Sequence, residues 1–195
     1  MAKAGRVVFE LSEANVLLVH KNERLEKHGE EDRLACDLNF QYEMANTGLA
    51  MFAPALRSCI YQKPQGPQSE LPVGDADYMP SLRFPALSVL KWGAGDLVGP
   101  ELRFHYGTTE KSHIVFEAGV KVGKYRMECK EGGTVLLSFQ AQVYPNEKQS
   151  GQLSKILLDK SCIISITPPE GEPAGGVVPV THVVVNAVGA WPFPK

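Results

Sequence analysis

An antiparallel β-sandwich or barrel with two short helices is the fold this sequence predicts, on three observations. Leu34, Cys36, Leu38, Phe40 and Tyr42 occupy every second position against Ala35, Asp37, Asn39, Gln41 and Glu43, the period of a strand with one buried face. Leu137, Phe139, Ala141 and Val143 alternate in the same way with Ser138, Gln140 and Gln142. The pair Gly132-Gly133 separates that run from a further one at Val120 to Cys129, and glycine takes the positive φ that a tight reversal needs. An α+β arrangement is the alternative, because strand, short helix and strand follow one another over 134–167.

Taken in order, residues 6–19 are dense in β-branched side chains and broken at Ser12 to Asn15, which predicts two strands or one bent strand. Lys21 to Arg33 holds four cations and five anions around Gly29 and reads as a wet connection bending at His28-Gly29. Asn46 is placed to cap a short turn through Phe52, and Leu56, Cys59 and Ile60 share one face of a helix lying over a sheet edge. Pro64, Pro67, Pro72 and Pro80, with Gly66 and Gly74, predict a long loop over 62–80. Residues 82–92 read as extended, with Pro85 confining them to an edge. Leu102, Phe104 and Tyr106 face Ile114 and Phe116 across a turn at 107–110, the pattern of a hairpin. Ser150 is the expected cap of a helix carrying Leu153, Ile156 and Leu157, and Cys162 to Thr167 is the last strand.

Residues 1–168 therefore read as one β-rich domain, and 169–195 as a flexible linker with an apolar tail. Val183, Val185, Trp191 and Phe193 are too apolar to stay free. They are expected to dock on the chain's own body, or to bind a protein partner or a second copy by adding a strand.

The chain has 195 residues, 44% hydrophobic and 22% charged, with a net charge of −2. Those proportions exclude a disordered polyelectrolyte, a collagen-like fibre and a helical membrane bundle. The charge removes any long-range pull toward a polyanion or an anionic membrane, although local patches are allowed. Four cysteines without a C-x-x-C knuckle predict buried free thiols. With no apolar signal core in the first residues, a cytoplasmic protein is expected.

Little in the chain points to catalysis. No two of the five histidines have helical ligand spacing, and the phosphate-loop, dinucleotide and nucleophile-elbow motifs are missing. His105 and His113 flank the predicted turn and can approach each other, with Cys129 as a third ligand, while Asp75, Asp77 and Glu70 fall in the long loop. No metal, cofactor or catalytic residue is assigned from these. The stronger pattern is the interleaving of cations and rings at Arg103, Tyr106, Lys111, Lys121, Lys124, Tyr125, Arg126 and Lys130. Single-stranded nucleic acid is held by such a pairing of stacking rings and phosphate-tracking cations.

The runs Glu26-Lys27-His28-Gly29-Glu30-Glu31-Asp32, Leu34-Ala35-Cys36-Asp37-Leu38, Ala55-Leu56-Arg57-Ser58-Cys59-Ile60-Tyr61 and Tyr144 to Leu153 together resemble an uncharacterised group of small bacteriophage and prophage proteins. The resemblance transfers no catalytic residue, and it implies a loose association with replication or recombination genes. Phage single-stranded-DNA-binding proteins are a narrower comparison, since they end in an acidic tail with an aromatic tip. Here Trp191 and Phe193 supply the rings, but Lys195 is last. The expected function is a non-enzymatic interaction or assembly module binding a protein partner or itself. A single-stranded-DNA-binding accessory protein is the alternative, and a small-molecule enzyme the weakest reading.

Overall fold

The computed structural model describes residues 9–29, 31–64, 79–87, 89–93, 95–109 and 112–169. Within them the protein is mostly β, with every strand pairing antiparallel. Strands β1 (Leu11–His28), β2 (Glu31–Ala45), β5 (Leu90–Lys91), β6 (Leu97–Val98), β7 (Glu101–Phe104), β8 (Ile114–Phe116), β9 (Lys121–Cys129), β10 (Thr134–Val143) and β11 (Ser161–Thr167) form one sheet. Its order is β5-β9-β10-β2-β1-β11-β7-β8, with β6 also on β9. Strands β3 (Tyr61–Gln62) and β4 (Ser81–Leu82) make a separate pair. Helix α1 (Leu56–Ile60) follows a 3₁₀ turn at Asn46–Met51, and helix α2 (Glu147–Asp159) lies between β10 and β11.

The sheet rolls over on itself without closing into a barrel, and the result is sandwich-like. Two short links set that curvature. Residues 99–100 join β6, at one end of the strand order, to β7 near the other, and residues 117–120 join β8 to β9. A trans chain gains at most about 3.6 Å per residue, so the first link holds its two ends within about 11 Å. The rings record the same closure. Phe40 on β2 stacks on Phe139 of β10 at 5.1 Å and also meets Phe104 of β7 at 6.0 Å, although β7 is three ladders away, about 14 Å in a flat sheet.

Alternation builds this core. Every second residue of β10 is buried, and β7 and β8 keep the same period. Phe9 fills the space between Phe52, Tyr125 and Phe139, with centroids at 5.9, 5.2 and 5.1 Å. Asn46 is a buried polar residue among these elements. It donates to the Met79 carbonyl and accepts from Arg57, tying the end of β2 to α1 and to the chain entering β4.

Several sequence expectations are corrected. The polar block 21–33 is not a connection but most of a hairpin, since β1 and β2 pair from Leu17–Gln41 to His28–Glu31 around Gly29. Opposite charges face each other there, Lys27 against Asp32 and Glu26 against Arg33, which stabilises a solvated ribbon whose composition resembles a loop. Gly29 sits at φ +69°, the conformation that a two-residue reversal asks of it. Helix α2 starts earlier than expected, at Glu147, with Asn146 as its N-cap: the Asn146 side chain accepts from Gln149 N–H while Gln149 Oε1 accepts from Asn146 N–H, a complete capping box. The stretch 82–92 yields only the two-residue pairings of β4 and β5. Cys36 and Cys129 are buried and Cys162 is half-buried, but Cys59 on α1 is exposed. Residues 65–78, and hence Glu70, Asp75 and Asp77, lie outside the described residues, as does the tail from 170.

Phe40 joins both halves of the roll, so Phe40→Ala is expected to destabilise the fold by about 3–5 kcal/mol, read as a lower urea midpoint with an unchanged slope. Burial pushes the Cys162 thiol up to about 12 and Cys36 up to about 11. Iodoacetamide at neutral pH should therefore alkylate Cys59 in the native protein and the other three only after denaturation, as peptide mass mapping would show.

Candidate interaction surface

Three bulges in the described strands decide which side chains reach the outside. In β9 the register slips between the pairs Ser138–Arg126 and Gln140–Gly123, so Lys124 and Tyr125 together oppose Phe139. Lys124 takes φ +55° and points out, whereas Tyr125 turns inward, 2% exposed, with its hydroxyl donating to the Val122 carbonyl. Burial pushes the Tyr125 phenol pKa up. This corrects its assignment as a base-stacking ring, because a bulge reverses the alternation from which its neighbours' faces were read.

The remaining predicted nucleic-acid residues divide between two places. Lys121, Lys124 and Arg126 on β9, and Lys130 just after it, are exposed. Lys121 and Lys124 line a small polar cleft with Arg24, Asp37, Asp96, Gly123, Gln140 and Gln142. Two carboxylates therefore stand among its cations. Arg103 and the half-buried Tyr106 sit at the opposite end of the strand order, where Arg103 is paired with Glu101 at 2.9 Å. Lys111, Val183, Val185, Trp191 and Phe193 lie outside the described residues. The expected convergence of rings and cations on one surface is not what β9 presents: Phe104 and Phe116 are core residues with Tyr125.

The expected approach of the two histidines is present, with His105 and His113 rings at 4.9 Å, while Cys129 is a buried core residue. His105 Nε2 is also 2.8 Å from Ser165 Oγ, a nucleophile-and-base pairing by geometry. Ser165 has a structural task there. The β1 bulge between Leu11 and Ala14, with Glu13 at φ +45°, gives the Glu13 N–H no ladder partner, and Ser165 Oγ accepts that bond at 3.0 Å. Among the described residues no group of three or more His, Cys, Asp or Glu side chains is arranged to hold a metal ion, and no helix is long and apolar enough to cross a membrane.

The third bulge creates the most distinctive surface. Val19 is the extra residue between Leu18–Phe40 and His20–Asn39, and beyond it the faces of β1 exchange. Lys21, Glu23 and Leu25 now share the side of Leu38, Cys36 and Leu34, while Arg24 and Glu26 share the outer face with Asp37 and Arg33. On the inner side Lys21, only 6% exposed, donates to the Ser150 carbonyl and hydroxyl at 3.0 Å and to Ser154 Oγ at 2.7 Å, and it pairs with Glu23 at 2.9 Å. Ser150 also donates to Glu23. This cluster pins α2 to the hairpin. On the outer side Arg24 pairs with Asp37 and Glu26, Tyr144 donates to Glu26 at 3.0 Å, and the Arg33 guanidinium lies 5.0 Å over the Tyr144 ring.

Held on both faces at its base, the hairpin then runs past the sheet. β10 pairs with β2 only from Cys36 onward, and β11 pairs with β1 only as far as Leu17. Residues 24–28 and 31–35 thus project as a two-stranded ribbon, with Leu25 71% exposed. The sequence signal for it was the opposite-charge pattern of 24–33, which composition alone assigns to a loop. Comparisons of the chain with protein-family models, curated proteins and solved structures return no match.

The Ser150 hydroxyl, and then Lys21, hold the Glu23 carboxyl below its usual value. A depressed carboxylate contributes stability above the ordinary glutamate pKa and loses it as the pH falls through the folded value. Thermal stability is accordingly expected to drop more steeply between about pH 6 and pH 3 in the native protein than in Glu23→Gln, which calorimetry across that window would measure.

Proposed function

We propose that this chain is a non-enzymatic interaction or assembly module, of the phage type its sequence resembles, that binds a protein partner or a second copy of itself in the cytoplasm. The projecting β1–β2 ribbon is the observation that supports this reading. A strand edge that no described strand pairs with beyond Leu17, carrying an exposed Leu25, is a ready template for another strand, and soluble proteins usually cover or shorten such edges. The rigid base provided by Lys21, Glu23, Arg24 and Tyr144 favours recognition by holding the ribbon in one pose. The apolar tail with Val183, Val185, Trp191 and Phe193 is a further segment for partner capture under the same reading.

A second reading, single-stranded-DNA binding in replication or recombination, has the stripe Lys121, Lys124, Arg126 and Lys130 in its favour, joined by Lys91 opposite Arg126. The buried rings of β7, β8 and β9 count against it, since cations alone give weak, salt-sensitive attraction. Fluorescence anisotropy of a labelled oligonucleotide at low salt separates the two. The interaction reading expects no saturable binding and no difference in the Lys121→Ala, Lys124→Ala, Arg126→Ala triple variant. Tight binding that falls steeply with salt and vanishes in that variant would replace it with the DNA reading.

A further inference from the structure

The edge of the ribbon that no described strand covers carries a pattern that specifies its occupant. In a two-residue hairpin the pair flanking the turn is hydrogen-bonded, so His28 and Glu31 exchange their backbone bonds, and in alternation so do Glu26 with Arg33 and Arg24 with Ala35. The N–H and C=O groups of Glu23, Leu25 and Lys27 therefore point the other way, to the edge that β11 leaves uncovered beyond Leu17. Along that edge the sequence reads Glu23-Arg24-Leu25-Glu26-Lys27. It is a self-complementary palindrome about Leu25, because reversing the run sets every charge against its opposite.

We infer that this edge of β1 pairs antiparallel with the same edge of a second copy, about a two-fold axis through Leu25, to form a homodimer with one continuous sheet. The inference rests on the interaction reading and names the partner. In that register Leu25 meets Leu25 of the second copy, Arg24 meets Glu26, and Glu23 meets Lys27. The pairs at 23, 25 and 27 are those whose backbone groups face outward, so each exchanges two hydrogen bonds across the axis. Opposite charges directly across a strand pair are favourable and like charges unfavourable, so the arrangement rewards this register and penalises slipped ones. Leu25 loses its 71% exposure against its own counterpart on the side where Leu34 is its neighbour. A two-fold contact of one patch with itself is also the commonest form of protein dimer.

The opposite edge of the ribbon offers no such match. There Asp32-Arg33-Leu34-Ala35-Cys36, folded about Leu34, sets Arg33 against Ala35 and Asp32 against Cys36. Charge complementarity thus selects β1 over β2. The base of the ribbon leaves the register accessible, because α2 reaches the hairpin at Lys21 and Glu23 and the palindrome's centre lies beyond it.

Light scattering on the full chain after size exclusion, over a concentration series, tests the proposal. The wild type is expected at twice its 21.3 kDa chain mass. Leu25→Lys removes an exposed side chain without touching the core and is expected to leave a folded monomer. Lys27→Glu, which sets a carboxylate against Glu23 of the second copy, should also be monomeric. Circular dichroism checks that each variant is folded. A monomeric wild type, a dimer indifferent to Leu25→Lys, or a Lys27→Glu variant that still dimerises would each overturn the proposal. Association that survives Leu25→Lys would still leave the wider interaction reading standing, whereas salt-sensitive oligonucleotide binding would remove that reading itself.

Discussion

The fold depends on one steric requirement, that Phe40 touch both Phe139 beside it and Phe104 three strands away. A flat sheet cannot satisfy both contacts. Rolling brings the inner faces of β2, β10 and β7 onto a shared set of rings, which Phe9 and Tyr125 extend toward Phe52. Aromatic pairs offset or tilted at these separations contribute beyond the area they bury, about 0.5–1.5 kcal/mol each. The short links at 99–100 and 117–120 keep the curved state from opening, because the strands they join belong to opposite ends of the order.

Curvature then places the polar features. Bulges at Glu13, Val19 and Lys124 add twist, and each also re-aims a side chain: a hydroxyl on Ser165 captures the Glu13 N–H, Lys21 turns under α2, and Lys124 turns out from a strand whose next residue turns in. The burial of Lys21 is tolerable because its ammonium meets three oxygens on α2 and the Glu23 carboxylate. One extra residue, Val19, thereby couples the helix to the hairpin and sets which side chains its far end displays.

Much of the architecture was legible in the chain. The alternation of 34–42, 102–106 and 134–143 marked the correct buried faces, and Phe104, Phe116 and Phe139 lie in the core as that pattern requires. The hairpin of β1 and β2 was hidden because Lys21 to His28 carries charged side chains on both faces and so has no period-two hydrophobic signal, only cross-strand charge pairs visible once the register is known. Tyr125 was misplaced because a bulge leaves no mark in composition. The start of α2 had a usable signal, Asn146 followed three residues later by Gln149, which the more distant Ser150 obscured. Cation and ring interleaving suggested one surface, whereas β7 and β9 stand at opposite ends of the order, a fact of topology rather than of pattern.

The central position of β11 bears on how the chain is made. β1 begins the described sheet and β11 ends it, yet they lie side by side between β2 and β7. During synthesis, β1 and β7 must wait with bare edges until residues 161–167 leave the ribosome, and only then can the two halves join. Such long-range pairing slows folding and exposes nascent strands to misassembly. A ribosome stalled before that point would hold a half-built sheet, so this last short strand acts as the keystone of biosynthesis.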